Sequence, residues 1–289
     1  MSIIEKQLEQ EYDELWSNPK KIKRDDENLA LGWHFGFYEK GARTYKRAVI
    51  NMNDYVDRLL GIQHQTVRVL DAGCGIGATV IHLAQRHPRS TFYGITLSAH
   101  EITNANQLQR KNNLQNTFFS QQSYNTTAFP DNFFDIVYLL ESFWYAESDT
   151  LFLKEMKRLL KHHGKLVIVD AFCRNDCSSR LMKNINRKIL QDSDYDKPQR
   201  TIDTFERSLS QEGFNDIKIK DIKKNIRHLY SFILIRLFHS LRIELRTNMK
   251  AHRRGILSSI KDFLVHFIFY TILFIHLDIG YYAITAQKT

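Results

Sequence analysis

The run VRVLDAGCGIG, from Val67 to Gly77, constrains the fold of this chain more than any other feature. Its β-branched and leucine residues predict a buried strand. The glycines that follow predict a tight turn, because glycine adopts positive φ angles and lets the backbone approach a ligand closely. A helix is expected next, and the free N–H groups at its start would point at that ligand. The run therefore predicts a strand, a ligand-binding turn and a helix.

The glycine spacing and Asp71 indicate which ligand this turn binds. The spacing is G-x-G-x-G, whereas dinucleotide-binding turns read G-x-G-x-x-G. The Asp71 carboxylate at the end of the strand would repel a phosphate, but it would attract a sulfonium or an amino group. These features predict S-adenosylmethionine (SAM) as the cofactor.

After this motif, short β-branched or aromatic runs alternate with helical patterns, which indicates βαβ units and a mostly parallel sheet. The predicted strands are 67–72, 91–96, 117–121, 134–140, 165–172, 217–222 and 281–287. The predicted helices are 77–85, 99–111, 150–162 and 201–211. The run His162-His163-Gly164 predicts a helix stop before the fifth strand.

Charge and composition limit the partners. The chain has 41 Lys and Arg against 32 Asp and Glu, a net charge of +9, which suits a nucleic acid, a phosphorylated metabolite or a membrane surface. The odd, sparse set of 3 Cys argues for a reducing compartment, and residues 1–30 show no apolar signal core. We therefore expect a cytoplasmic protein, and no metal-ligand set is evident.

The stretch 223–279 combines apolar runs with several arginines. We expect a helical lid here, over an apolar acceptor. Its most apolar part, 263–277, is shorter than a membrane-spanning helix requires. A peripheral membrane contact and a buried helix with a solvated basic face are the alternatives. The expected organisation is a helical cap over 1–60 and a SAM-binding core over 61–289.

Over residues 60–172 and the terminal strand, the chain resembles the class I SAM-dependent methyltransferases. Besides the glycine-rich turn, 129–135 (FPDNFFD) resembles the family's turn into the fourth strand, and 164–166 (GKL) resembles the loop into the fifth. The resemblance implies an α/β fold with a Rossmann-like, mostly parallel seven-stranded sheet. It also implies a helical N-terminal cap and a helical insertion before the last strand.

The resemblance assigns cofactor residues by position. Asp71, Gly73 and Gly75 would hold the methionine part of SAM. The run GITLS at 94–98 resembles tocopherol methyltransferases and cyclopropane fatty acid synthases, in which the Thr and a Gln one turn later serve the ribose. The matching positions here are Thr96 and Glu101, and a carboxylate can accept hydrogen bonds from ribose hydroxyls equally well.

The adenine contact departs from the family pattern. After the third strand the family often carries an Asp for the adenine amino group, but the matching position here is Ser123. Ser123, with Gln122 and Tyr124 beside it, is the candidate for this contact. An ordinary polar loop is the alternative.

The acceptor side is expected at the end of the fourth strand, where the chain reads ESFWY at 141–145. This run resembles the C-methyltransferases that alkylate alkenes, such as the sterol and geranyl diphosphate enzymes. An alkene that accepts a methyl cation becomes a carbocation, which π faces stabilise and a carboxylate deprotonates. Glu141 and Tyr145 are therefore the expected catalytic residues. Core aromatics, and a structural or cofactor-binding Glu141, are the alternatives.

The segment HFGFY at 34–38 resembles the H-x-G-[FY]-[YW] run of tocopherol methyltransferases and their small-molecule relatives. In those families it folds over the SAM and acceptor sites, so Tyr38 is a third expected catalytic residue. His34 could be a base, or an imidazole held by a hydrogen bond.

The expected function is SAM-dependent methyl transfer to carbon of an apolar, isoprenoid small molecule. O- or N-methylation of a hydrophobic small molecule is the alternative, and a SAM-binding protein without turnover is a third hypothesis. Mg²⁺ is expected only if the acceptor is a diphosphate. Nucleic-acid acceptors are not expected, because the Pro-Pro-aromatic and Pro-Cys signatures of base methyltransferases are missing. The sequence indicates no oligomeric state.

Overall fold

The computed structural model describes residues 2–17, 32, 34–39, 41–63, 65–174, 200–226 and 279–289. The helices are α1 (Ile3–Ser17), α2 (Tyr45–Leu60), α3 (Ala78–Arg86), α4 (Ala99–Lys111), α5 (Asp149–Leu159) and α6 (Ile202–Gln211). The strands are β1 (Arg68–Ala72), β2 (Thr91–Thr96), β3 (Thr117–Gln121), β4 (Phe134–Leu140), β5 (Leu160–Cys173), β6 (Phe214–Asp221) and β7 (Ile279–Lys288).

The strands form one seven-stranded sheet in the order β3-β2-β1-β4-β5-β7-β6. The neighbouring strands from β3 to β5 are parallel, whereas β7 runs antiparallel to both β5 and β6. The order reverses between β1 and β4, which is where open α/β sheets leave a crevice for ligands beyond the strand ends. The α/β, Rossmann-like, mostly parallel seven-stranded sheet expected from the sequence is confirmed.

Two hydrophobic layers cover the faces of the sheet. On one face, Phe152 and Met156 of α5 pack with Phe205 of α6. On the other face, Met52 and Val56 of α2 pack with other buried apolar side chains. Strands that are covered on both faces have little polar surface, which is why the central strands read as apolar runs in the sequence.

The fifth strand starts earlier than predicted. Helix α5 ends at Leu159, and Leu160 already pairs with Phe134 before a register shift. His163, predicted to stop a helix, lies inside β5 with φ +61. The predicted helix end at residue 162 was wrong. Leu160 is fully buried, and its packing in the core outweighs the local helical pattern.

Two predicted elements fall largely outside the described residues. Of the lid predicted over 223–279, the structure describes only 223–226 and Ile279. Of the cap predicted over 1–60, it describes α1, α2 and short pieces between them. Within the part of the chain that is described, no helix is long and apolar enough to cross a membrane.

Candidate functional site

A cleft lies at the carboxyl ends of β1, β2 and β4, with about 1070 Å³ of empty space including its mouth. Its walls contain nearly all of the residues predicted from the sequence for cofactor and acceptor. Those lining the cleft are Asp71, Gly73, Gly75, Thr96, Glu101, Gln122, Ser123, Glu141 and Tyr145. The topology therefore brings together residues that are up to 74 positions apart in sequence, from Asp71 to Tyr145.

The glycine-rich turn has the backbone that its sequence predicts. Gly73 and Gly75 have φ angles of +98° and +51°, which glycine adopts without steric cost. A Cβ on Gly73 would lie 2.3 Å from the Cβ of Ser142, so close packing alone requires glycine there. A Cβ on Gly75 would meet only a carboxylate oxygen of Glu101, at 3.8 Å. The space beside Gly75 is thus open to a ligand.

Asp71 presents an unpaired carboxylate oxygen. Its Oδ2 accepts a hydrogen bond from the Tyr138 hydroxyl at 2.7 Å, whereas its buried Oδ1 has no hydrogen-bond partner among the described residues. Burial raises the pKa of Asp71 to about 7, and the bond from Tyr138 opposes that rise. An unsatisfied buried acceptor is costly. A cationic donor at Oδ1 would remove this cost and favour the ionised form.

Thr96 and Glu101 form a second polar pair at the end of β2. The Thr96 hydroxyl donates to Glu101 Oε2 at 2.5 Å, and both side chains are buried. Glu101 lies in the first turn of α4, where Ser98 caps the helix by accepting from the Glu101 N–H at 3.1 Å. This capping places the carboxylate in the cleft beside Gly75. Glu101 could accept hydrogen bonds from a diol.

The loop after β3 contacts helix α1. Ser123 and Asn125 both donate to Oε1 of Glu5, the latter at 3.0 Å. Glu5 and Leu8 from this helix line the cleft together with Gln122. The N-terminal helix therefore forms one wall of the cleft at the end of β3.

These features fit SAM. The open space at Gly75 suits an amino-acid moiety, and the free oxygen of Asp71 suits an ammonium or a sulfonium. Glu101 suits the hydroxyls of a ribose. The methionine part and the ribose would thus each meet groups of complementary chemistry, at the ends of β1 and β2.

Glu141 follows β4 with a positive φ of +56°. Its Oε1 accepts a hydrogen bond from the Phe35 backbone N–H at 2.7 Å and another from the Tyr281 hydroxyl. Burial raises the pKa of Glu141 to about 8, the two hydrogen bonds lower it, and the charge of Asp170 raises it. A non-glycine residue in the left-handed region that also carries a shifted pKa is typical of functional sites.

Only one of the three aromatics after Glu141 lines the cleft. Tyr145 does so, and its hydroxyl accepts a hydrogen bond from the hydroxyl of Tyr12 at 3.0 Å. Phe143 is buried in the core against Phe172 and Phe205. Trp144 is 41% exposed and does not line the cleft. Of the aromatic run after Glu141, Phe143 therefore follows the alternative of a core aromatic, and Tyr145 is the ring that the short 3-10 helix Phe143–Tyr145 leaves in the cleft wall.

Tyr38 is not brought to this cleft. Its backbone N–H donates to the carbonyl of Asn225 at 2.7 Å, which ties the segment 34–39 to the turn that follows β6. His34, by contrast, lines the cleft. Its Nε2 lies 2.9 Å from Asn53 Oδ1 and its Nδ1 lies 3.0 Å from the Phe35 carbonyl, so the ring is held in place. The geometry gives no support to a catalytic role for Tyr38.

The residues missed from the sequence include Glu5, which lines the cleft, and Tyr281, which contacts Glu141 from outside the cleft wall. Glu5 could have been found, since Ser2-x-x-Glu5 is a capping box that predicts a helix start. Tyr281 gives no local signal, because its partner Glu141 is 140 positions away. For the described ranges, no group of three or more His, Cys, Asp or Glu residues could hold a metal ion.

Comparison with known proteins agrees with the geometry. Residues 70–168 match the family model of a methyltransferase domain. A chloroplastic tocopherol O-methyltransferase of Arabidopsis thaliana is 26% identical over 70% of this chain and 62% of its own length. A sterol 24-C-methyltransferase of Gibberella zeae is 26% identical over 62% of this chain and 50% of its own length. The chain thus spans less than two thirds of either relative.

Solved structures share the fold across almost the whole chain. The [4+2]-cyclase SpnF superposes with a TM-score of 0.73 at 20% identity, covering 98% of this chain and 96% of that one. A geranyl diphosphate C-methyltransferase from Streptomyces coelicolor superposes with a TM-score of 0.70 at 16% identity. The superposition covers 100% of this chain and 99% of that one. The methyltransferase-domain match over residues 70–168 and the similarity to tocopherol and sterol methyltransferases support a class I SAM-dependent methyltransferase, and the solved structures share its fold.

Proposed function

We propose that this enzyme transfers a methyl group from SAM to a carbon atom of an apolar, isoprenoid acceptor, such as a prenyl diphosphate or a terpenoid. The observation that carries the proposal is Glu141, a carboxylic acid at the end of β4 in the wall of the cleft that Tyr145 also lines. Methylation of oxygen or nitrogen needs little more than positioning. Methylation of an alkene also needs a base, and Glu141 supplies one.

The cofactor is held by this chain's residues in three parts. Asp71, Gly73 and Gly75 hold the methionine part, and Thr96 with Glu101 holds the ribose. Gln122 and Ser123, at the end of β3, would hold the adenine. When bound, SAM supplies an electrophilic methyl group on a sulfonium, whose positive charge the Asp71 carboxylate attracts.

Glu141 acts on the acceptor. The π electrons of the alkene form the new C–C bond, which leaves a carbocation on the neighbouring carbon. Glu141 takes a proton from the carbon beside that cation, and the C–H electrons regenerate the double bond. Although burial raises the pKa of Glu141 to about 8, positive charge beside the carboxyl favours its ionised form. The face of Tyr145 adds cation–π stabilisation.

The cleft also supplies apolar walls. Leu140, next to Glu141 in the chain, lines it on the acceptor side and suits a hydrocarbon chain better than a polar acceptor. The lid or membrane contact expected over 223–279 stays a prediction, because nearly all of these residues lie outside those the structure describes. With a diphosphate acceptor, Mg²⁺ accompanies the phosphates. Residues 1–60 serve as the cap and 61–289 as the SAM-binding core.

The test is product analysis. The full chain is incubated with methyl-labelled SAM and a panel of prenyl diphosphates, with and without Mg²⁺, terpenoids and hydrophobic phenols and amines. A new C–CH₃ bond in an isoprenoid product is the expected result. A new O–CH₃ or N–CH₃ bond contradicts carbon methylation and supports the alternative. Binding of SAM without labelled product from any acceptor contradicts methyl transfer to these classes.

A further inference from the structure

A carboxylate lies where the order of the strands places the adenine of SAM, and it comes from the N-terminal helix. SAM is a linear molecule of methionine, ribose and adenine. The proposed function places the first part at β1 and the second at β2, so the order β3-β2-β1 places the adenine at the end of β3. The loop at that strand end reads QQSYN at 121–125 and contains no acid.

Glu5 of α1 supplies the missing acid. It is only 7% exposed and lines the cleft beside Ser123. Its Oε1 accepts hydrogen bonds from the Ser123 hydroxyl and from Asn125 Nδ2, and its Oε2 accepts one from the Ser2 N–H at 2.8 Å. A carboxylate has about four lone-pair positions, so one position is left for a ligand.

Asn125 offers a second acceptor at the same place. The amide atom that faces Glu5 is Nδ2, because a carboxylate needs a donor there, and this fixes the other amide atom as the oxygen Oδ1. That Oδ1 is buried and has no hydrogen-bond partner within the described residues. Asn125 also lines the cleft. An unsatisfied buried acceptor in a cleft wall indicates a ligand donor.

We infer that Glu5 and Asn125 together recognise the exocyclic amino group of the SAM adenine. That group carries two N–H donors, and the two side chains offer two acceptors. The inference rests on the SAM placement in the proposed function, but not on the identity of the acceptor. It also makes cofactor affinity depend on the docking of α1, because Glu5 reaches the cleft only when this helix covers it.

A purely structural role for Glu5 makes a different prediction. Ser2 and Glu5 form a capping box, in which the Glu5 N–H donates to Ser2 Oγ at 3.1 Å and Ser2 N–H donates back. Glutamine preserves a capping box, so Glu5→Gln keeps the helix start and removes the charge. If Glu5 only anchors α1, the variant weakens binding of every nucleoside ligand equally. If Glu5 hydrogen-bonds to the amino group of adenine, the variant changes the preference for adenine over hypoxanthine.

The experiment is calorimetric titration of the full chain with two ligands. One is S-adenosylhomocysteine, and the other is its hypoxanthine analogue, in which a carbonyl oxygen replaces the amino group. The wild type is expected to prefer the adenine ligand by about 10- to 100-fold, the range of a hydrogen bond to a charged group. In Glu5→Gln this preference should fall to a few-fold, because the amide can donate to the carbonyl. Asn125→Ala should also reduce it.

The matched control is Glu9→Gln on the same helix. Glu9 accepts a hydrogen bond from Gln121 at 2.7 Å and does not line the cleft, so its variant should keep the wild-type preference. Equal binding of the two ligands by the wild type overturns the inference. An unchanged preference in Glu5→Gln, with or without weaker binding of both ligands, also overturns it. If neither ligand binds the wild type, the SAM placement fails and the inference fails with it, whatever the acceptor assay shows.

Discussion

The hydroxyl of Tyr281, on the last strand, donates a hydrogen bond to Oε1 of Glu141 at the end of β4. The Phe35 backbone N–H donates to the same oxygen at 2.7 Å. No described residue donates to the other oxygen, Oε2, and Glu141 lines the cleft. Two distant parts of the chain therefore orient the Glu141 carboxyl group, and they hold it by one of its two oxygens.

If Glu141 is the base in carbon methylation, Glu141→Gln should slow single-turnover methyl transfer by about 10²–10⁴-fold. The amide keeps the size of the side chain but cannot take a proton. SAM affinity should change little, because the proposed cofactor site lies at the ends of β1, β2 and β3. Rapid-quench measurement of methyl transfer and calorimetry with SAM would show both. A nearly normal rate would favour O- or N-methylation, and a parallel loss of SAM affinity would make Glu141 a cofactor ligand.

The kcat/KM for SAM, which reports ionisations of the free enzyme, should rise with pH through about 8. Burial raises the pKa of Glu141 to that value, and a base works only in its ionised form, above its pKa. Tyr281→Phe removes a hydrogen bond that favours the ionised form. The midpoint of the pH–rate profile should therefore move upward by about 1–2 units. Tyr282→Phe, on the opposite face of β7, should leave the midpoint unchanged. Identical midpoints in wild type and Tyr281→Phe would rule out this coupling.

Gly75→Val should abolish SAM binding while the protein stays folded. The structure leaves open space beside Gly75, so the valine side chain would occupy the proposed ligand position without a steric clash with other residues. The control is Gly41→Val, because Gly41 also has a positive φ of +75° and a Cβ placed on it would meet no atom within 4 Å. Both variants strain the backbone, at a cost of about 1–3 kcal/mol each. Retention of SAM affinity in folded Gly75→Val protein would exclude this position for the methionine part.

SAM affinity should increase between pH 6 and 8. Burial raises the pKa of Asp71 to about 7, so the carboxyl gains its charge across this interval and then attracts the cationic cofactor. In Asp71→Asn, affinity should be lower above pH 7 and nearly independent of pH. Titration calorimetry at several pH values measures both. A wild-type affinity that does not change with pH would show that Asp71 does not pair with the cofactor.

Local sequence patterns determined most of the secondary structure. The limits of β2, β3 and β4 agree with the prediction at both ends, because each strand is a short apolar run bounded by polar or turn residues. The glycine-rich turn after β1 was likewise predictable from the sequence, since positive φ angles and close approach at Gly73 require glycine. Such features depend on neighbours in sequence, so the chain's local chemistry is enough to predict them.

Only the tertiary structure decided which side chains share the cleft. Phe143 and Tyr145 are two positions apart and equally aromatic, yet one packs in the core and the other lines the cleft. Glu5 reaches Ser123 across 118 positions, and Tyr281 reaches Glu141 across 140. These contacts exist because sheet order and helix docking bring distant segments together. Burial of apolar surface across the whole domain drives that arrangement, and no local pattern encodes it.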